Sequence, residues 1–197
     1  MTVPKALAFV ALTITALAAP VSAQEAVFEL DPAQTHIAFT LGSTLHTVHG
    51  AFQLRRGSVH LDPATGKASG ELIVDAASGN SGSRSRDQRM HKSILESQEY
   101  PDIAFRPDYI EGKIPTQGPA TVQVHGIFSI HGAGHEITVP AQVQVEASQI
   151  SATLEFSVPY VQWGMKNPST FLLRVNDKAQ IEVQTTFRIK PLVQPGI

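Results

Sequence analysis

The pattern that most constrains this chain is an alternation of apolar and polar residues with a period of two. Ile137, Val139, Ala141, Val143 and Val145 are set against Glu136, Thr138, Gln142, Gln144 and Glu146. Ile150, Ala152, Leu154, Phe156 and Val158 follow at once, and Ala179, Ile181, Val183, Phe187 and Ile189 repeat the pattern near the end. Earlier, Ile37, Phe39 and Leu41 alternate with His36, Ala38 and Thr40, and Val122, Val124, Phe128 and Ile130 with Gln123, His125 and Ser129. Leu72, Val74 and Ala76 do the same, although Ile73 puts an apolar residue on the polar side. Side chains on a strand point to opposite faces in turn, so such runs are strands with one apolar face. About eight of them are expected. They could close into a barrel or stack as a sandwich, and periodicity alone does not choose.

The connections point to antiparallel neighbours. Asp62-Pro63-Ala64-Thr65-Gly66-Lys67 reads as a hairpin loop, and Gly132-Ala133-Gly134 as another. If Ile130 and Ile137 both face inward, His131 and Glu136 pair across that second turn and face outward, which leaves His135 in the loop. Two stretches break the alternation. Ser83 to Gln98 is rich in charge and carries Met90, Ile94 and Leu95 at helical spacing, so an amphipathic helix is predicted there. Pro159 to Asp177, with Trp163, Gly164 and Pro168, reads as a loop packed over one end of the sheet.

The N-terminus resembles an export signal. Lys5 precedes an apolar run from Ala6 to Ala19, and Val21-Ser22-Ala23 supplies the small residues a signal peptidase reads. The run of roughly 14 residues is too short to span a bilayer. The expected organisation is a signal over residues 1–23 and one domain over 24–197, in the periplasm or secreted. The chain has no cysteine, so thiol chemistry and a lipidated cysteine anchor are excluded, and a hydrophobic core must hold the fold. The net charge is −2, without long Lys/Arg blocks. That speaks against nucleic acid or an anionic membrane surface as main partner, and no stable membrane insertion is expected.

Catalytic signatures are missing. There is no Gly-x-Ser-x-Gly elbow or phosphate-binding loop, and His135-Glu136 lacks the second histidine of a zinc-protease motif. Neither an enzyme nor a cofactor is predicted. The Ser-rich run from Ser78 to Ser85 reads as a flexible polar loop. His46 and His49 lie three apart, which on a strand sends them to opposite faces; only a turn there, with His91 brought in by the fold, would make a metal site. A metal- or stress-responsive protein using His46, His49 and His91 is therefore the alternative reading.

Four ordered motifs resemble the YceI family of periplasmic, lipocalin-like proteins that bind polyisoprenoids. They are Asp31-Pro32-Ala33-Gln34-Thr35 before Ile37 and Phe39; Thr47-Val48-His49-Gly50-Ala51-Phe52; Arg86-Asp87 with Met90-His91 and then Tyr100-Pro101-Asp102-Ile103-Ala104-Phe105; and Gly126-Ile127-Phe128-Ser129-Ile130-His131-Gly132 followed by Val139-Pro140. The resemblance runs from Phe28 to Ile189. It departs from the family at Gln34-Thr35 and Gly42-Ser43-Thr44, which places any difference in specificity among polar contacts. It implies an all-β, eight-stranded antiparallel lipocalin-like barrel with one inserted amphipathic helix and a capping loop. Its apolar face would line a tunnel for an isoprenoid, an isoprenoid quinone or a similar lipid. The residues placed there are Phe39, Leu41, Phe52, Leu72, Val74, Met90, Phe105, Phe128, Ile130, Val139, Val143, Leu154, Phe156 and Trp163. Arg86, Asp87 and His91 would form a polar mouth. The sequence also permits a homodimer.

Overall fold

Alternation is converted into strands that close on themselves. The computed structural model describes residues 26–147 and 149–190, and the expected signal over 1–23 lies outside them. The strands are β1 (Ala26–Leu30), β2 (His36–Gly42), β3 (Thr47–Leu61), β4 (Ala68–Asn80), β5 (Asp102–Glu111), β6 (Gly118–Ile130), β7 (Ala133–Val145), β8 (Ile150–Val158) and β9 (Ala179–Lys190). Every pairing is antiparallel, and β3 pairs with β4 to complete the ring. Nine segments make eight positions, because β1 and β2 share one place between β3 and β9. The break between them has a local cause. Pro32 has no N–H for the ladder, and Asp31 accepts the Ala33 amide at 2.9 Å, so the chain buckles into a 3-10 turn over Pro32–Gln34.

The two long connections, the helical β4–β5 crossing and the β8–β9 loop, lie at one end together with the β2–β3 and β6–β7 hairpins. The opposite end carries turns such as Asp62–Lys67, where Gly66 takes a φ of 75° and donates to the Asp62 carbonyl at 2.8 Å. The crossing begins as the helix α1 (Arg84–Arg89) and widens into a π-turn over Met90–Ile94, with the Leu95 amide reaching the Met90 carbonyl at 2.9 Å. The predicted helix is therefore shorter and changes pitch halfway.

Two expectations need correction. The β6–β7 turn is tighter than predicted. It uses only His131 and Gly132, both at positive φ (52° and 76°), and pairs Ile130 with Ala133, Phe128 with His135 and Ile127 with Glu136. Two-residue hairpins favour this conformation because it matches strand twist. Inward parity survives the change of register, but His135 becomes an inward-facing strand residue. The Ser-rich stretch is also not a loose loop. β4 runs to Asn80, Ser78 donates to the Asp75 carbonyl at 2.6 Å, and Ser81 is buried.

The outward Ile73 is 2% exposed. Its neighbours on the outer face are the Arg56–Glu71–Arg106 and Arg55–Asp75–Asp102 ion pairs, and arginine stems can cover apolar surface while their heads stay wet. The exposed pairs themselves add little stability.

Candidate ligand-binding cavity

Inward side chains border a void. The barrel encloses a cavity of about 680 Å³, within the range that holds small apolar ligands. Its wall is drawn from all nine strands, α1 and the β8–β9 loop. Even buried lining residues keep some accessible surface, such as Phe39 at 7% and Phe128 at 9%, because one side of each faces the gap. Phe39, Leu41, Phe52, Leu72, Val74, Met90, Phe105, Phe128, Ile130, Val139, Val143, Leu154 and Phe156 all border it.

Polarity along the wall is uneven. Halfway down, Thr35 and Thr185 satisfy each other through their hydroxyls at 2.8 Å, and Thr35 also donates to the Asp31 carbonyl at 2.9 Å. The other polar lining groups gather at the end with the long connections: Ser43, His46, Ser81, Ser83, Ser85, Arg86, Arg89 and Tyr160. Among the described residues no Asp or Glu side chain lines the cavity. Tyr160 donates to the Asn176 carbonyl at 2.7 Å, and burial pushes its phenol up to about 12, so it stays a neutral donor.

Arg86 reaches this mouth, whereas Asp87 and His91 do not. Asp87 accepts the Ser81 amide at 2.9 Å and also the Ser81 hydroxyl; Arg86 grips the same residue, Nε on its hydroxyl at 2.7 Å and Nη2 on its carbonyl at 2.8 Å. The Arg-Asp motif is thus a clamp that fixes α1 to the end of β4. Partial burial opposes ionisation of Asp87, but the Ser81 hydrogen bonds outweigh it and hold the carboxyl below its ordinary range. His91 turns to the Gly79 carbonyl, with Nε2 donating at 2.9 Å. Ser81, on which Arg86 and Asp87 converge, carries no distinguishing mark among its serine neighbours in the sequence.

The three candidate metal ligands are not brought together. His49 is exposed on the outer face, with Nδ1 3.1 Å from the Thr40 hydroxyl, His46 sits in the β2–β3 turn, and His91 is engaged as described. Among the described residues no group of three or more His, Cys, Asp or Glu is placed to hold a metal ion.

Trp163 does not line the cavity either. It stacks on His135 with centroids 4.0 Å apart and planes at 6°, and lies 5.8 Å from Phe128. With the buried Tyr160 and Met165 it roofs the β6–β7 end of the barrel. A second tie holds the same end: Glu96 bonds His131 at 2.8 Å and Lys166 at 3.4 Å, and the His131 bond is the main reason its carboxyl lies below the usual range.

His135 has Nε2 buried without a hydrogen-bond partner, and burial lowers its pKa. The unfolded chain protonates this imidazole at about pH 6.5 while the fold resists, so the fold binds fewer protons there. Stability contributed by the stack is present above that pH and declines as pH falls through it. Emission from Trp163, the single tryptophan, is expected to change reversibly with a midpoint below the ordinary imidazole range. His135→Phe should keep the stack and remove the transition; a transition unchanged in that variant would assign it elsewhere.

The sequence model of the YceI-like domain matches residues 28–187. The chain belongs to the YceI-like family. Among solved structures it is similar to BcnA of Burkholderia cenocepacia, at 19% identity and a TM-score of 0.67, over 80% of this chain and 98% of that one. It is also similar to a polyisoprenoid-binding domain from Saccharophagus degradans, at 16% identity and a TM-score of 0.65, over 83% of this chain and 98% of that one. At these identities the likeness establishes the barrel fold. No curated protein matches.

Proposed function

We propose that this YceI-like protein is an exported carrier that holds a long apolar molecule, a polyisoprenoid or an isoprenoid quinone, inside the barrel. The observation that carries this reading is the cavity itself, about 680 Å³ bounded by an apolar wall whose polar groups, Thr35 and Thr185 aside, gather at one end. Such a wall suits a chain with one polar terminus. Each buried CH₂ contributes on the order of 0.8 kcal/mol, so a long tail binds without many polar contacts. Arg86 and Arg89, with Ser83 and Ser85, would then meet the head of the ligand. The similar Saccharophagus degradans domain, described as polyisoprenoid-binding, supports the ligand class. Export is supported by the Lys5, Ala6–Ala19 and Val21-Ser22-Ala23 pattern. The role proposed is binding and not catalysis.

Protein purified from its native host and extracted with organic solvent should yield a stoichiometric isoprenoid by mass spectrometry. Extracts free of lipid, together with no uptake of added isoprenoid quinone, would overturn the proposal.

A further inference from the structure

The barrel mouth carries an apolar rim. The large hydrophobic residues exposed among the described residues are Leu45 at 73%, Tyr109 at 45%, Ile127 at 38%, Phe171 at 96% and Leu172 at 82%. Isolated exposed hydrophobics are ordinary. The three most exposed of these, however, lie together, although they come from loops more than 120 residues apart. Ser43 bridges Val175, the Thr44 amide donates to the Arg174 carbonyl at 2.9 Å, and the Asn176 amide to the Gly42 carbonyl at 2.9 Å. Leu45 and the Phe171-Leu172 pair are thereby held on adjoining tips.

Both tips are built turns. The Ser43 amide meets the His46 carbonyl at 3.1 Å, with Leu45 at the crest. The Thr170 amide donates to the Leu173 carbonyl at 2.8 Å and the Leu173 amide to the Thr170 hydroxyl at 3.2 Å, closing the other turn with Phe171 and Leu172 at its centre. Turn centres usually carry Gly, Asn, Asp or Pro, whose backbones or side chains favour the bend. Large apolar residues there gain nothing from the fold, because they touch so little of it. Residues next to them, Ser43, His46, Leu173 and Val175, line the cavity. The rim therefore borders the way in.

The charge around the rim is positive. Arg86 and Arg89 line the mouth, Arg84 and Lys92 lie exposed on the same crossing, and Arg174 flanks the Phe171-Leu172 turn. Of the acids at this end, Asp87 is tied to Ser81, Glu96 to His131 and Lys166, and Asp102 to Arg55; Glu99 and Asp177 are exposed as well. The whole chain carries −2, so the attraction is local and invisible to net charge. Apolar tips beside a cationic belt complement the surface of an anionic bilayer, where the tips enter the acyl boundary and the arginines meet phosphates.

We infer that the barrel docks mouth-first on an anionic lipid bilayer through Leu45, Phe171 and Leu172, with the arginines around them holding the headgroups. The inference goes beyond carriage of a ligand and is tested without one. The ligand-free protein should cosediment with vesicles of phosphatidylglycerol and phosphatidylethanolamine, and bind at least about tenfold more weakly to pure phosphatidylcholine vesicles or in high salt. The triple variant L45S/F171S/L172S should lose vesicle affinity on the order of a hundredfold. Its melting temperature and its uptake of isoprenoid in detergent should not change, since none of the three lines the cavity. Absence of sedimentation by the wild type, or equal sedimentation by the variant, would overturn the inference. So would a wild-type dimer that the variant abolishes while vesicles are ignored, which would make the rim a contact between copies.

Discussion

Replacing Ala141 and Ala152 together with phenylalanine is expected to abolish retention of a long isoprenoid while leaving the barrel assembled. Both residues are buried, at 3% and 6%, and both line the cavity, on the neighbouring strands β7 and β8. The added rings would project into the void and not into packed neighbours. The usual cost of overpacking, about 1–3 kcal/mol, should thus fall at its lower end. The ligand loses the space instead. If the two rings exclude one five-carbon isoprene unit, the loss is up to roughly 4 kcal/mol, about a thousandfold in affinity. Titration with an isoprenoid alcohol in detergent would measure the loss, and circular dichroism would report the strands. Unchanged affinity in a folded variant would mean that the tail does not occupy this part of the barrel.

Parity is why so much of that wall was legible in sequence. Alternation at Ile137–Val145 and Ile150–Val158 identifies which residues face inward, and the structure has those faces inside. Parity does not fix register, however. With the expected His131–Glu136 pairing His135 lies in the loop; only the tight two-residue turn makes it an inward strand residue opposite Phe128 and under Trp163. Nor does parity reveal emptiness, since an inward phenylalanine looks the same against a void as against a neighbour. The helix posed a different problem. Arg86 and His91 are five residues apart on a segment that changes pitch at Met90, so one reaches the mouth and the other the Gly79 carbonyl. Trp163 sits in a loop without period, where sequence offers no face to assign. The rim of Leu45, Phe171 and Leu172 escapes for a related reason: it exists only where the fold brings distant turns side by side.

Gly126→Ala should be among the most damaging small substitutions in the barrel wall. Gly126 is buried in β6 opposite Pro107, beside the irregularity between Pro107 and Tyr109 in β5. A Cβ at this position would lie 2.3 Å from the Arg106 carbonyl oxygen and 2.8 Å from the Pro107 Cα. Those are backbone atoms and cannot rotate away. The third contact, Phe105 Cζ at 2.9 Å, belongs to a side chain bordering the cavity and can swing aside. Relief therefore requires β5 to move off β6, which strains hydrogen bonds along the seam. We expect a loss of about 2–3 kcal/mol, or roughly 5–10 °C in melting temperature for a domain of this size. Gly134→Ala is the matched control. Its Cβ would meet only side-chain ends, Ile127 Cγ2 at 3.1 Å and Ser129 Oγ at 3.7 Å, and should cost less than about 1 kcal/mol. Equal melting temperatures for the two variants would show that β5 has room to yield. The wall bearing Phe105 and Phe128 would then be softer than its close backbone approach indicates.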